Sequence, residues 1–208
     1  MRFLFILAFI LGVTGASYFF FFRDPSFVDL PRGGKTIIAL GDSLVEGVGA
    51  SYDKDFVALL SVRLGVPIVN VGVGGDTAGT ALDRLERDVL SRDPRIVIVL
   101  LGGNDALRRL PVATTFSNLG LLIDRVHEAG AGVLLLGVRG GIFGDVYKKQ
   151  FRELAREKKT SFVPDVLEGV FGNPEFMSDS IHPNDGGYAH IADRVEPMLR
   201  KMIVDVVQ

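Results

Sequence analysis

Thr36-Ile37-Ile38-Ala39-Leu40-Gly41-Asp42-Ser43-Leu44 begins with five residues that carry almost no polar alternation. Such a run reads as a strand buried on both faces, as in parallel sheets covered by helices. Gly41 stops it, so Ser43 falls on a turn at the strand's C-terminal end. In open α/β sheets that edge is where ligands bind. The same Val/Ile/Leu-rich pattern recurs at Ile68–Val73, Ile96–Leu101, Val133–Val138 and, more weakly, Ser161–Val163. Helical periodicity fills the intervals: Phe56–Leu64, Ala81–Leu90, Phe116–Ala129 and Val146–Lys158. A last helix is expected from about Asn184 to Val204, with Pro197 placed to kink or split it. The connections Gly65-Val66-Pro67, Asp93-Pro94 and Gly130-Ala131-Gly132 are short and rich in turn formers. Strands alternating with helices predict an α/β fold: a three-layer α/β/α sandwich around a five-stranded parallel sheet.

The chain has 208 residues, 48% of them hydrophobic, a net charge of −2 and no cysteine. Disulfides, thiolate metal sites and a cysteine nucleophile are thereby excluded. No basic stripe points to nucleic acid as a partner. Phe3–Phe22 carries no charge and, at about 1.5 Å per residue, is long enough as a helix to cross the ~30 Å bilayer core. Arg2 precedes it; Arg23 and Asp24 close it. The expectation is an N-terminal membrane anchor or signal segment over residues 1–23, a linker over 24–34 and one domain over 35–208. The rival is cleavage after Thr14-Gly15-Ala16, yet the apolar run continues to Phe22, beyond a usual signal core. Either way the domain is expected to be exported. It then faces the periplasm or exterior, anchored or released.

Downstream of Ser43, Asp179 and His182 lie in Asp179-Ser180-Ile181-His182-Pro183. A serine hydroxyl needs a base to become a nucleophile, and the base needs an orienting partner. Pro183 biases His182 away from helical backbone and suits the first turn of the last helix. Asp179 is then within reach of the imidazole. Each residue also has an ordinary reading: Ser43 as a helix cap, Asp179 as a turn cap, His182 as a surface residue. Ser43 is not in a G-x-S-x-G elbow. Two more segments end strands on the same edge, Val73-Gly74-Gly75-Asp76-Thr77 and Leu101-Gly102-Gly103-Asn104-Asp105. Acyl transfer needs donors aimed at a developing oxyanion. Gly75 offers a backbone N–H and Asn104 a side-chain amide, though both also suit plain turns. His127 and His190 fall within helical patterns and read as structural.

Gly41-Asp42-Ser43-Leu44, Gly75, Gly102-x-Asn104-Asp105 and Asp179-x-x-His182 together resemble the four sequence blocks of the SGNH, or GDSL-type, hydrolases. The resemblance runs from about Lys35 to the C-terminus, and its finer features resemble the bacterial thioesterase I, arylesterase and lysophospholipase branch. It implies a flavodoxin-like fold, Ser43 as nucleophile and His182 as base, oriented by Asp179. It implies an oxyanion hole of the Ser43 N–H, the Gly75 N–H and the Asn104 side chain, with no cofactor and no metal. The implied activity is hydrolysis of small-molecule carboxylic esters or thioesters. A carbohydrate O-acetylesterase on the same site is the alternative. A non-enzymatic ligand-binding sandwich is the third reading, and a complete Ser/Gly/Asn/His set weighs against it. Arg139–Gly144 and the loop Glu168–Met177, with Phe171, Phe176 and Met177, are candidates to flank an acyl chain. Arg108 and Arg109 are candidates for an anionic head group, or simply a solvated face.

Overall fold

The computed structural model describes residues 27–138 and 144–204. Five strands form one parallel sheet: β1 (Thr36–Gly41), β2 (Ile68–Gly72), β3 (Pro94–Leu100), β4 (Gly132–Leu136) and β5 (Ser161–Val163), in the order β2-β1-β3-β4-β5. The chain runs outward from β1 to β2, then crosses back to β3 and continues the other way. Right-handed crossovers therefore place helices on both faces. α1 (Ser43–Glu46) and α2 (Phe56–Leu64) follow β1. α3 (Ala78–Asp83) and α4 (Leu85–Asp88) follow β2, and α5 (Gly103–Leu107) and α6 (Val112–Glu128) follow β3. α7 (Gly144–Lys158) follows β4, and α8 (Asp185–Val204) closes the fold. α2 packs with α8, while α3 and α7 each pack with α6. These are the two outer layers.

The strands are apolar because both faces are covered. Ile38, Leu40, Ile96, Ile98, Val133 and Leu134 have no exposed surface, and only the edge strand β2 is partly open along its length. A fully buried Leu or Ile contributes about 1.5–3 kcal/mol relative to an exposed one. The sheet centre is therefore the main source of stability.

The structure departs from the periodicity in three places. The expected helix Ala81–Leu90 is two short helices and a 3-10 turn, broken at Arg84, whose backbone leaves the helical region (φ −101°, ψ 1°). It also starts earlier, because Thr77 and Thr80 form a reciprocal cap. Pro197 does not split α8. Both it and Asp193, whose carbonyl it denies the usual i+4 donor, lie on the exposed side, open to solvent. Pro183 is not in the first turn of α8, which starts at Asp185. Asn184 caps it instead, accepting from the Gly187 N–H at 3.1 Å.

Ahead of β1 the chain lies along the N-terminal ends of the strands. Asp29 accepts the Val133 N–H at 2.8 Å through Oδ2, and His127 Nε2 lies 2.7 Å from the same oxygen. The Asp29 N–H donates to Ser161 Oγ at 2.8 Å. Among the described residues no helix is long and apolar enough to cross a membrane. The segment Phe3–Phe22 and the loop residues Arg139–Phe143 lie outside the described residues.

Candidate active site

Gly41 pairs with Gly72 on one side and Leu100 on the other, so β1, β2 and β3 end level. Their next residues form one edge at the point where the strand order reverses, the position favoured for ligands in this topology. Asp42 leaves the strand buried and caps α1, with Oδ1 accepting the Leu44 N–H at 3.0 Å. Ser43 is thus the first residue of a one-turn helix, and the capping role belongs to its neighbour. The turn sits directly on β2: a Cβ on Gly72 would run into the backbone nitrogen of Glu46.

The histidine arrives from 139 positions away, and several contacts hold its loop in place. Tyr188 Oη donates to the Val48 carbonyl at 2.8 Å, and the Ser51 N–H donates to Asp185 Oδ1 at 2.7 Å. Both tie the start of α8 to the segment after the Ser43 turn. The Ser178 N–H donates to the His182 carbonyl at 2.9 Å, and Met177 bridges Pro183. Within this frame His182 Nε2 lies 3.1 Å from Ser43 Oγ, and Nδ1 lies 2.8 Å from Asp179 Oδ2. Asp179 Oδ1 also accepts the backbone N–H groups of Ile181 and His182, each at 2.7 Å. The His182 ring hydrogen bond, then these two backbone donors, lower the Asp179 carboxyl to about 2. A carboxylate held ionised on Nδ1 fixes the tautomer and leaves Nε2 facing the hydroxyl as an acceptor.

Gly75 stands at φ +82°, a left-handed conformation that glycine adopts freely. Neither its N–H nor that of Ser43 meets an acceptor among the described residues. Arg108 donates to the Gly75 carbonyl at 2.7 Å, so this candidate for an anionic head group is engaged with the turn itself. Arg109 is exposed at φ +55°. Asn104 Nδ2 donates to the Asp76 carbonyl at 3.0 Å and to Asp42 Oδ2 at 3.2 Å. Ser43, Gly75, Asn104, Asp179 and His182 are therefore gathered at one sheet edge. Chemically, the set holds a hydroxyl in contact with a base and two backbone donors without acceptors beside it. His127 lies at the opposite end of the sheet on Asp29, and the His190 ring packs 5.0 Å from Phe176. In the loop before Asp179, Val170 is buried and Phe171 exposed. Among the described residues no group of three or more His, Asp or Glu is placed to hold a metal ion.

Two features of the site were not singled out in the sequence. The first is Asp42. Burial raises its carboxyl to about 6, an effect offset in part by the Leu44 N–H, increased by the nearby Asp76 charge and reduced by His182. The second is a buried cation, Arg84, whose Nε donates to Asp76 Oδ2 at 2.6 Å and whose Nη2 donates to the Gly41 carbonyl at 3.1 Å. Local spacing flags neither role, because the partners that tie them into the site, Asn104 for Asp42 and Gly41 for Arg84, come from other strand ends.

Residues 39–190 match the GDSL-like Lipase/Acylhydrolase family. The chain is 32% identical over 180 residues to Esterase TesA of Pseudomonas aeruginosa, covering 81% of this chain and 90% of that protein. It is 32% identical over 176 residues to Thioesterase 1/protease 1/lysophospholipase L1 of Escherichia coli K12, covering 81% and 85%. The crystal structure of TesA superimposes with a TM-score of 0.77 at 32% identity, over 81% of this chain and 99% of that one.

Proposed function

The chain belongs to the GDSL-like lipase/acylhydrolase family and is an ester hydrolase, and on that premise we propose that it cleaves acyl esters through an acyl-enzyme on Ser43. The observation that carries the mechanism is the chain of contacts Asp179–His182–Ser43, at 2.8 Å and 3.1 Å. Ser43 Oγ attacks the acyl carbonyl while His182 Nε2 takes its proton. Asp179 holds Nδ1–H and stabilises the imidazolium. The tetrahedral oxyanion is met by the Ser43 and Gly75 N–H groups and by Asn104 Nδ2, which gives up part of its bond to the Asp76 carbonyl or to Asp42. His182 returns the proton to the departing alcohol or thiol. Water, deprotonated by the same imidazole, then attacks the acyl-enzyme and releases the acid.

The substrates proposed are lysophospholipids, acyl thioesters or aryl esters. Two observations support an acyl group larger than acetyl. The similar proteins carry the names esterase and thioesterase/lysophospholipase. Val73, Leu107 and Ile181, exposed by 44%, 60% and 40%, stand on the segments that carry Gly75, Asn104 and His182. They offer apolar surface next to the chemistry. We propose that the domain, with residues 29–32 already bonded to its strand starts, lies on the exported side of a membrane behind an anchor at 1–23, on the strength of the uncharged run Phe3–Phe22.

An ester series from acetyl to palmitoyl, run with wild type and Ser43→Ala, tests this. Activity that rises with chain length and vanishes in Ser43→Ala is the expected result. Activity confined to acetyl esters would make the protein an O-acetylesterase; full turnover by Ser43→Ala would end the mechanism.

A further inference from the structure

Arg84 is one of the few charged residues in the interior, and each of its three guanidinium nitrogens has a different partner. Nε donates to Asp76 Oδ2 at 2.6 Å, Nη1 to Asp88 Oδ2 at 3.1 Å and Nη2 to the Gly41 carbonyl at 3.1 Å. Its side chain and that of Asp76 are each 9% exposed. Gly41 precedes the Asp42–Ser43 turn, and Asp76 follows Gly75 directly. The Asp76 carbonyl also receives the Asn104 amide at 3.0 Å, and its Oδ1 receives Thr80 Oγ1 at 2.9 Å. One planar cation therefore spans the end of β1 and the turn after β2, and that turn in turn bonds the residue after β3 that carries the third donor.

The sheet cannot do this alone. Its pairing ends with the Val73 N–H on the Gly41 carbonyl at 3.0 Å and with Leu100 beside Gly41, and the three oxyanion donors all lie beyond it. Donors on three separate segments must converge on one point about 2.7–3.1 Å away. We infer that Arg84 is a positioning residue for the oxyanion hole, locking the Gly75–Asp76 turn against the Gly41–Ser43 turn from behind. The inference rests on the reading of Ser43, Gly75 and Asn104 given above. A buried ion pair is a poor source of stability compared with apolar packing of the same volume. Its use here is geometric: a guanidinium presents donors in a fixed fork, which an ammonium does not.

Two changes test it. Arg84→Lys keeps the charge but not the fork. Arg84→Met/Asp76→Leu removes both charges together, so that no unpaired buried ion threatens folding. Each is assayed on a soluble aryl ester below its own melting transition. The expected result in both is a kcat lowered about 10- to 100-fold, the effect of misplacing reacting groups by about 1 Å, with KM within about threefold. Combined with Asn104→Ala, the losses should be less than multiplicative, since both changes act on one oxyanion. Wild-type kcat in the folded variants, a rise in KM alone, or strictly multiplicative losses would each overturn the inference. If Ser43→Ala and Asn104→Ala leave kcat intact, the site itself has been misassigned. If they lower it and the Arg84 variants do not, only the role of Arg84 falls.

Discussion

Asp179 and Asp42 are carboxylates of one site pushed in opposite directions by their surroundings. Asp179 is exposed, and its donors hold it ionised; its contribution to stability is present above an ordinary aspartate pKa and is lost as pH falls from about 4 toward 2. Asp42 is buried and raised from 3.8 to about 6, so the native protein binds its proton more tightly than the unfolded chain does. Between those values the folded state holds more protons, and stability falls as pH rises. The shift is worth about 3 kcal/mol at most. Measured by denaturant titration, wild type should lose stability relative to Asp42→Asn as pH climbs from about 4 to about 6, then run parallel to it. A pH-independent difference would show that Asp42 does not titrate there. The substitution also turns an amide NH2 or a weaker acceptor toward Asn104 Nδ2. At pH 8 kcat should therefore fall, by less than the 10²–10³ that removing an oxyanion donor outright costs. Asn104→Ala should show that full cost, in kcat and not in KM. An effect on KM alone would make Asn104 a ground-state contact.

Among the elements, the strands were the most legible. Burial on both faces leaves unbroken Val/Ile/Leu runs, and all five expected strands exist, with ends shifted by a few residues. That β1, β2 and β3 end on one edge was legible from the strand-end segments; their order in the sheet and their exact register were not, because register is set by pairing across 30 residues or more of sequence. The helix after β2 was misread for a related reason: its break at Arg84 answers to buried partners on other segments, not to local periodicity. The triad's members were visible as residue types on loops, whereas Asp42 entered only as part of a motif and Arg84 only as a position within the expected helix Ala81–Leu90. The close seat of α1 on β2 gives a test at this level. Gly72→Ala puts a Cβ against the Glu46 backbone, which cannot yield as a flexible side chain would. Overpacking of this kind costs about 1–3 kcal/mol, and since α1 begins at Ser43 the same change should lower kcat. Gly65→Ala is the control. Its Cβ would meet nothing within 4 Å, so it should cost only the strain of φ +67° and leave kcat unaltered. Equal kinetics in the two variants would show that the seat of α1 does not position the nucleophile.

The parallel sheet gives the domain two unlike ends. Ser43, Gly75 and Asn104 follow the C-terminal ends of the strands. The chain enters at the N-terminal ends, where Asp29 bridges Ser161, Val133 and His127, the Arg32 N–H bonds the Gly130 carbonyl, and Lys35 bonds Asp93. A strand of five to seven residues at about 3.3 Å each separates the two by roughly 20 Å. Whatever precedes residue 27 therefore joins the domain on the side away from the catalytic edge. Two results are expected. Asp29→Ala should lower stability by about 1–3 kcal/mol, the loss of buried hydrogen-bond partners, and leave kcat and KM for a soluble aryl ester within about twofold. A chain beginning at residue 27 should keep full activity on that ester, since every residue of the site and the Asp29 clamp lies downstream. Thermal melts and steady-state kinetics on the purified variants check both. Loss of kcat in a folded Asp29→Ala protein would mean that the two ends of the sheet are coupled, and that the entry segment does more than hold the domain together.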